Sequence, residues 1–172
     1  MTTLIYLFLM SLVLFIVPQV IVRVINLNSG LEKLSKPDFG WNILPLLIAA
    51  ILPMLWILVP KDVIELREVN FIQHSVGGGV AVGLVAIYFI NSLKTDYPYL
   101  KNLFFQFALF YALVCTLGVT NEILEFFLDY TGLGIFSADR YDTWYDLVAN
   151  TVGAMAVFML FKLRSFLYRI MG

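Results

Sequence analysis

The chain has 172 residues, of which 61% are hydrophobic and 13% are charged, and its formal net charge is −1. Soluble domains have about half apolar and about a quarter charged residues, so this composition excludes an ordinary soluble fold. The near-neutral charge also argues against a nucleic-acid-binding surface. We therefore expect a single integral membrane domain covering residues 1–172.

Five apolar segments are long enough to cross a membrane as helices. A bilayer core of about 30 Å requires roughly 20 apolar residues in helical conformation. The five segments cover residues 3–25, 43–60, 71–93, 103–128 and 143–167. The predicted fold class is all-α, a polytopic transmembrane bundle of about five helices.

The lysine and arginine residues near the ends of these segments divide unequally between the two sides of the predicted bundle. The side that contains the N-terminus has Lys61, Arg67 and Arg140. The opposite side has Arg23, Lys33, Lys36, Lys94, Lys101, Lys162, Arg164 and Arg169. Because short loops rich in Lys and Arg stay in the cytoplasm, we predict an external N-terminus and a cytoplasmic C-terminus.

The third segment begins with the sequence "NFIQHSVGGGVAVG", which places His74 near the predicted outer surface. Gly79 and Gly83 have the spacing of a small-residue motif at which two membrane helices pack closely. An alternative interpretation is that Gly77 and Gly78 leave room for a ligand headgroup beside His74.

The fourth segment ends with "TNEILEFFLDY", in which four polar side chains interrupt an apolar run. At about 100° per residue, Glu122, Glu125 and Asp129 lie within about 60° of one another on the helix surface, and Asn121 widens the arc to about 100°. The predicted outer end of this helix therefore presents an acidic stripe to the bundle interior.

The fifth segment begins with "DRYDTWYDLVANTVGA", and Asp142, Asp146 and Asn150 recur in it at every fourth position. This spacing places them on one helix face, opposite Val148. Asp142 also fits an N-cap, whose side-chain oxygen accepts a bond from free backbone N–H groups. For the deeper Asp146, as for Glu122 and Glu125, the plain alternative is a purely structural hydrogen-bond network.

Three polar motifs are thus predicted to meet in one leaflet. A carboxylate at mid-bilayer costs at least ~2.5–3.5 kcal/mol, so such groups usually face a cavity or a partner. Clustered carboxylates also repel one another unless a proton, a cation or a metal ion relieves them. Carboxylates with one histidine suit Mn, Mg or Zn. The candidate metal ligands are His74, Glu122, Glu125 and Asp146.

The same residues suggest chemical roles. Buried acids suit general acid–base catalysis, which makes Glu122, Glu125 and Asp146 the candidate catalytic residues. The candidate substrate-binding residues are Asn121, Arg140, Asp142 and Asn150.

The motifs "NEILEFF" and "DRYDTWYDLVANTVGA" resemble a pattern in small multi-span bacterial membrane proteins of the VanZ-like and YjdF-like group. In that group an acidic helix end precedes a helix of the form D-x3-N-x2-G, which Asp146, Asn150 and Gly153 match. The sequence "QHSVGGG" is similar to the helix start that contains a histidine in the same proteins, at His74. The resemblance covers roughly residues 68–160 and implies a multi-pass protein of the bacterial plasma membrane, in the cell envelope.

Three functions remain open at this level. The leading hypothesis is an outward-facing pocket that binds a lipid- or glycan-linked headgroup, directly or through a divalent cation. The first alternative is an intramembrane acid–base or metal-assisted hydrolase or transferase acting on an envelope lipid. The second is a small ion- or proton-coupled transporter, although the polar groups lie at one end and the predicted inner halves of the last three segments have few besides Gln106. The expected partner is a membrane lipid or lipid-linked glycan.

Overall fold

The computed structural model describes residues 2–28, 43–60, 67–94, 97–132 and 142–171, and all regular structure in these ranges is helical. The α-helices are α1 (Thr2–Asn28), α2 (Leu44–Ile51), α3 (Arg67–Gln73), α4 (Ala81–Leu93), α5 (Leu103–Tyr130) and α6 (Asp142–Met171). A 3-10 helix (Leu52–Leu58) follows α2, a π-helical segment (His74–Val80) joins α3 to α4, and a 3-10 turn (Pro98–Lys101) precedes α5. This architecture confirms the predicted all-α fold class.

Four helical stretches are long and apolar enough to cross a membrane: Leu4–Ile25, Glu68–Leu93, Leu103–Tyr130 and Thr143–Leu167. Their outward surfaces carry large apolar side chains, as expected for helices solvated by lipid. Val148, which is predicted to lie opposite the polar stripe of the fifth segment, is exposed on this surface, and so are Ile123, Leu124 and Phe127 of α5. The chain is therefore built as a membrane helix bundle.

The segment predicted to cross at residues 43–60 forms a shorter apolar element, Leu44–Leu58. Its first 8 residues are α-helical and its last 7 are 3-10 helical, and Pro53 is at the start of the second part. Proline has no N–H to bond the carbonyl four residues earlier, which favours the change of geometry at this point. At rises of about 1.5 and 2.0 Å per residue, the element is about 26 Å long.

The core lies on both sides of α4, which is the central helix. On one side Leu46 of α2 packs with Val85 of α4 and with residues of α1. On the other side Ile90 packs with Phe110 of α5 and Phe158 of α6, whose rings are 4.8 Å apart. Helix α4 therefore connects the α1–α2 pair to the α5–α6 pair.

The π-helical segment and the beginning of α4 cross α6 in very close contact. A Cβ on Gly79 would overlap the backbone of Asn150, and a Cβ on Gly83 would lie 3.1 Å from Cα of Ala154. Glycines allow two helix backbones to approach to this distance. The predicted packing role of Gly79 and Gly83 is confirmed.

Both ends of α5 are fixed by local hydrogen bonds. At its start the Asn102 side chain accepts a bond from the Phe104 N–H at 2.8 Å. At its end Gly132 has a φ of +69°, and its N–H bonds to the carbonyl of Asp129 at 3.0 Å. This termination places the acidic stripe in the last turns of α5, beside the beginning of α6.

Candidate functional site

Three carboxylates from two helices converge inside the bundle. Glu122 and Glu125 of α5 and Asp146 of α6 each offer an oxygen, and these oxygens all lie within 4.8 Å of one another. Asp146 is only 2% exposed, whereas both glutamates are half-buried. We refer to these three residues as the acidic centre. By its geometry and its donor atoms, the acidic centre can hold a metal ion.

A hydrogen-bonded chain from the first span orients one of these carboxylates. The Tyr6 hydroxyl donates to Oδ1 of Asn121 at 2.7 Å, and the Asn121 amide donates to Oε1 of Glu125 at 2.8 Å. Tyr6 also lies 3.3 Å from the same Glu125 oxygen, but its single proton favours the shorter contact. Asn121, predicted to bind substrate, is thus placed to position Glu125.

His74 lies next to Asp146 at the first residue of the π-helical segment. Its Nε2 is 3.4 Å from Oδ1 of Asp146, and its side chain is 18% exposed. This distance exceeds that of a normal N–H···O hydrogen bond, so the contact is mainly electrostatic when the imidazole is protonated. His74, predicted as a metal ligand, is outside the group of three converging oxygens and is placed to orient Asp146.

Several buried polar atoms lie in or beside the π-helical segment. Asn150 is 6% exposed, and its Oδ1 lies so close to Gly78 that a Cβ there would overlap it. That oxygen makes no hydrogen bond to any described residue, and the same is true of Trp56 Nε1, Gln73 Oε1 and Ser75 Oγ. Since buried polar atoms in proteins usually have a partner, this concentration distinguishes the segment from ordinary helix packing. Segments of π-helix are themselves frequent at functional sites.

The other polar residues that the sequence predicts near the site lie outside the acidic centre or outside the described residues. Arg140 lies outside the described residues, and so does the side chain of Asp142, although Asp142 begins α6. Asp129 is half-buried but is not part of the acidic centre. Gly153, the last position of the predicted stripe, is buried against the π-helical segment.

Two residues near the site were not singled out from the sequence. Tyr6 interrupts the apolar run "LIYLFLM" with one hydroxyl, and Trp56 lies in the apolar run "PMLWIL". A lone polar atom in a membrane segment usually needs a partner in the bundle, which is the signal that could have identified both. Periodicity within one helix cannot reveal the partner, because it does not show which other helix supplies it.

Comparisons of the chain with protein-family models, with curated proteins and with solved structures find no match. The similarity of the motifs to the VanZ-like group, and the bacterial envelope location that it implies, therefore stay predictions. The acidic centre is identified only by the positions of its three carboxylates and not by any relative.

Proposed function

We propose that the acidic centre binds a divalent cation and, through it, the anionic headgroup of a lipid- or glycan-linked ligand. The observation that carries this proposal is the approach of three carboxylate oxygens to within 4.8 Å inside a membrane bundle. Like charges at this separation repel strongly where the dielectric constant is low. A bound cation converts that repulsion into attraction and is often the largest local charge in such a site.

The donor set indicates the class of cation. Carboxylate oxygens favour hard cations such as Mg²⁺ and Mn²⁺, and a neighbouring imidazole makes Zn²⁺ a third candidate. His74 can contribute at most one positive charge against the three carboxylates. Its contact with Asp146 supports a second role, since residues bonded to metal ligands fix the orientation of those ligands.

The surroundings support binding of a membrane-borne headgroup. Glu122 and Glu125 are half-buried, so part of their surface is accessible, whereas Asp146 and Asn150 are buried within the bundle. The buried polar atoms of Gln73 and Ser75 offer hydrogen-bond sites next to it. The unequal loop charges predict that this end faces the outer leaflet, and the resemblance of the motifs favours a bacterial plasma membrane.

Titration of the purified protein with Mn²⁺, followed by the electron paramagnetic resonance signal of the free ion, tests the cation. The wild type should bind Mn²⁺ saturably, and Glu125→Gln and Asp146→Asn should each weaken binding by at least about ten-fold. Asp129→Asn is the matched control, because it removes an acid from the same end of α5 outside the acidic centre. No saturable binding of Mn²⁺, Mg²⁺ or Zn²⁺ at millimolar concentration would exclude the proposal.

A metal-assisted hydrolase or transferase acting on an envelope lipid is the second candidate. The contact between His74 Nε2 and Asp146 Oδ1 at 3.4 Å favours it, because a base oriented by a carboxylate is a recurring catalytic arrangement. Under this candidate, His74→Gln should abolish release of product from a radiolabelled lipid-linked glycan while Mn²⁺ binding persists. Bound ligand without any product in the wild type would leave binding alone as the function.

A further inference from the structure

At the opposite end of the last three spans, α4, α5 and α6 surround a second site. A cavity of about 570 Å³ opens there, and its described lining includes three lysines, Lys94, Lys101 and Lys162, but no acidic residue. Gln106, also in this lining, precedes Glu122 on α5 by four and a half turns, which is about 24 Å along the helix. The cavity is therefore separate from the acidic centre.

The ammonium group of Lys162 is held at the wall of the cavity. It donates a hydrogen bond to Oε1 of Gln106, and it lies 5.1 and 5.3 Å from the ring centroids of Phe158 and Phe161. Gln106 is fixed in turn, because its amide donates to the carbonyl of Leu100 at 2.6 Å. Ring faces attract cations, so this half-buried charge is kept in place by three neighbouring side chains.

The other two lysines come from different elements. Lys94 follows the end of α4 and donates to Oδ1 of Asn91 at 2.9 Å, which occupies one of its three N–H donors. Lys101 is the last residue of the 3-10 turn before α5 and is exposed. Three positive charges from separate elements thus line one cavity.

We propose that this cavity binds the phosphate group of an anionic membrane lipid. Ammonium groups bind phosphate oxygens through charge-assisted hydrogen bonds, and basic pockets between membrane helices bind lipid headgroups in this way. Leu103 and Phe166 supply apolar lining beside the lysines. Phe104, which follows Leu103 in α5, is 69% exposed and offers a further apolar side chain to acyl chains outside the bundle. A lipid satisfies both surfaces, whereas a free phosphate satisfies only the charges.

Native mass spectrometry of the full chain in detergent, titrated with phosphatidylglycerol or phosphatidylcholine, tests this site. Lys101→Gln and Lys162→Gln should each reduce the affinity for phosphatidylglycerol by about five-fold, since one basic residue near a lipid headgroup contributes about 1 kcal/mol. Affinity for zwitterionic phosphatidylcholine should not change. Arg23→Gln is the matched control, because it removes an exposed charge from the same predicted side without touching the cavity.

Lys101 is exposed, so Lys101→Gln keeps the packing even if the loss of the Lys162–Gln106 bond disturbs the bundle. Equal phosphatidylglycerol affinity of the wild type and the Lys101→Gln/Lys162→Gln double variant would overturn the proposal. Titration with inorganic phosphate in lipid-free micelles separates the two sources of the anion. Lysine-dependent binding of inorganic phosphate, with phosphatidylglycerol binding independent of the lysines, would overturn the assignment to a lipid in favour of a soluble phosphate compound.

Discussion

Gly153 of α6 lies against the backbone carbonyl of Ser75 so closely that a Cβ at position 153 would overlap the Ser75 oxygen. Ser75 follows His74, and Gly153 is two turns after Asp146 on the same face of α6. The close approach of these two backbones therefore sets the separation between His74 and Asp146. The glycines at this crossing therefore help to determine the geometry of the acidic centre.

Replacing this glycine should separate the two elements. Gly153→Ala must move the π-helical segment or α6, and overpacking of this kind costs about 1–3 kcal/mol in the free energy of unfolding. Gly118→Ala is the matched control, because a Cβ there would meet only Cδ2 of Leu147 at an ordinary 3.5 Å. Reversible unfolding of both variants in mixed micelles measures the difference. Equal stability of the two variants would show that the crossing relaxes without cost.

The hydroxyl of Tyr6 should be needed to position Glu125. Tyr6→Phe removes the donor to Asn121, which should lower the free energy of unfolding by about 0.5–1.5 kcal/mol. It should also weaken Mn²⁺ binding, because Asn121 then loses one of the contacts that orient it toward Glu125. Tyr130→Phe is the control: Tyr130 is 79% exposed at the same end of the bundle. Unchanged Mn²⁺ affinity in Tyr6→Phe would reduce Tyr6 to a packing role.

The fold class could be predicted from the sequence because lipid constrains it strongly. Apolar runs of about 20 residues have few alternatives to helix in a bilayer, and four of the five predicted segments form such helices. The second segment illustrates the limit of this reasoning. Hydropathy identifies Leu44–Leu58 as apolar but does not distinguish α from 3-10 geometry, which depends on Pro53 and on local packing.

The candidate site could be predicted only in part. Helical spacing placed Glu122 and Glu125 on one face of α5 and Asp146 with Asn150 on one face of α6, and the structure brings the three acids together. Spacing within a helix does not determine which helices are neighbours, so it cannot predict the hydrogen bond between Tyr6 and Asn121.

The lysine-lined cavity cannot be predicted from the sequence for the same reason. In the sequence, Lys94, Lys101 and Lys162 indicate only the orientation of the bundle, because their convergence depends on how three helix ends meet. The sequence does not predict the π-helical segment either, since its 7 residues are too few to show a hydrophobic period different from that of an α-helix.

The orientation of the bundle is tested by labelling single cysteines with a reagent that cannot cross membranes. The loop charges divide eight to three, so a cysteine at Asp62 should react from outside and one at Lys36 should not. The parent protein, which has only Cys115 within α5, supplies the background. The reverse labelling pattern would place the acidic centre toward the cytoplasm and the lysine-lined cavity outside.

The sign of a stability change should distinguish a cation site from a structural hydrogen-bond network at the acidic centre. Without divalent cations, Glu122→Gln removes one of three mutually repelling charges at similar size, so it should leave the bundle as stable as the wild type or more stable. With Mn²⁺ at about 100 times its dissociation constant, the wild type should gain about 2.7 kcal/mol through binding linkage. The variant should gain much less, so the wild type should be the more stable protein in Mn²⁺. Thermal unfolding with a chelator and with Mn²⁺ measures both states, and Asp129→Asn should respond to Mn²⁺ as the wild type does. If Glu122→Gln destabilised the protein equally under both conditions, Glu122 would be a structural hydrogen-bond acceptor and not a cation ligand.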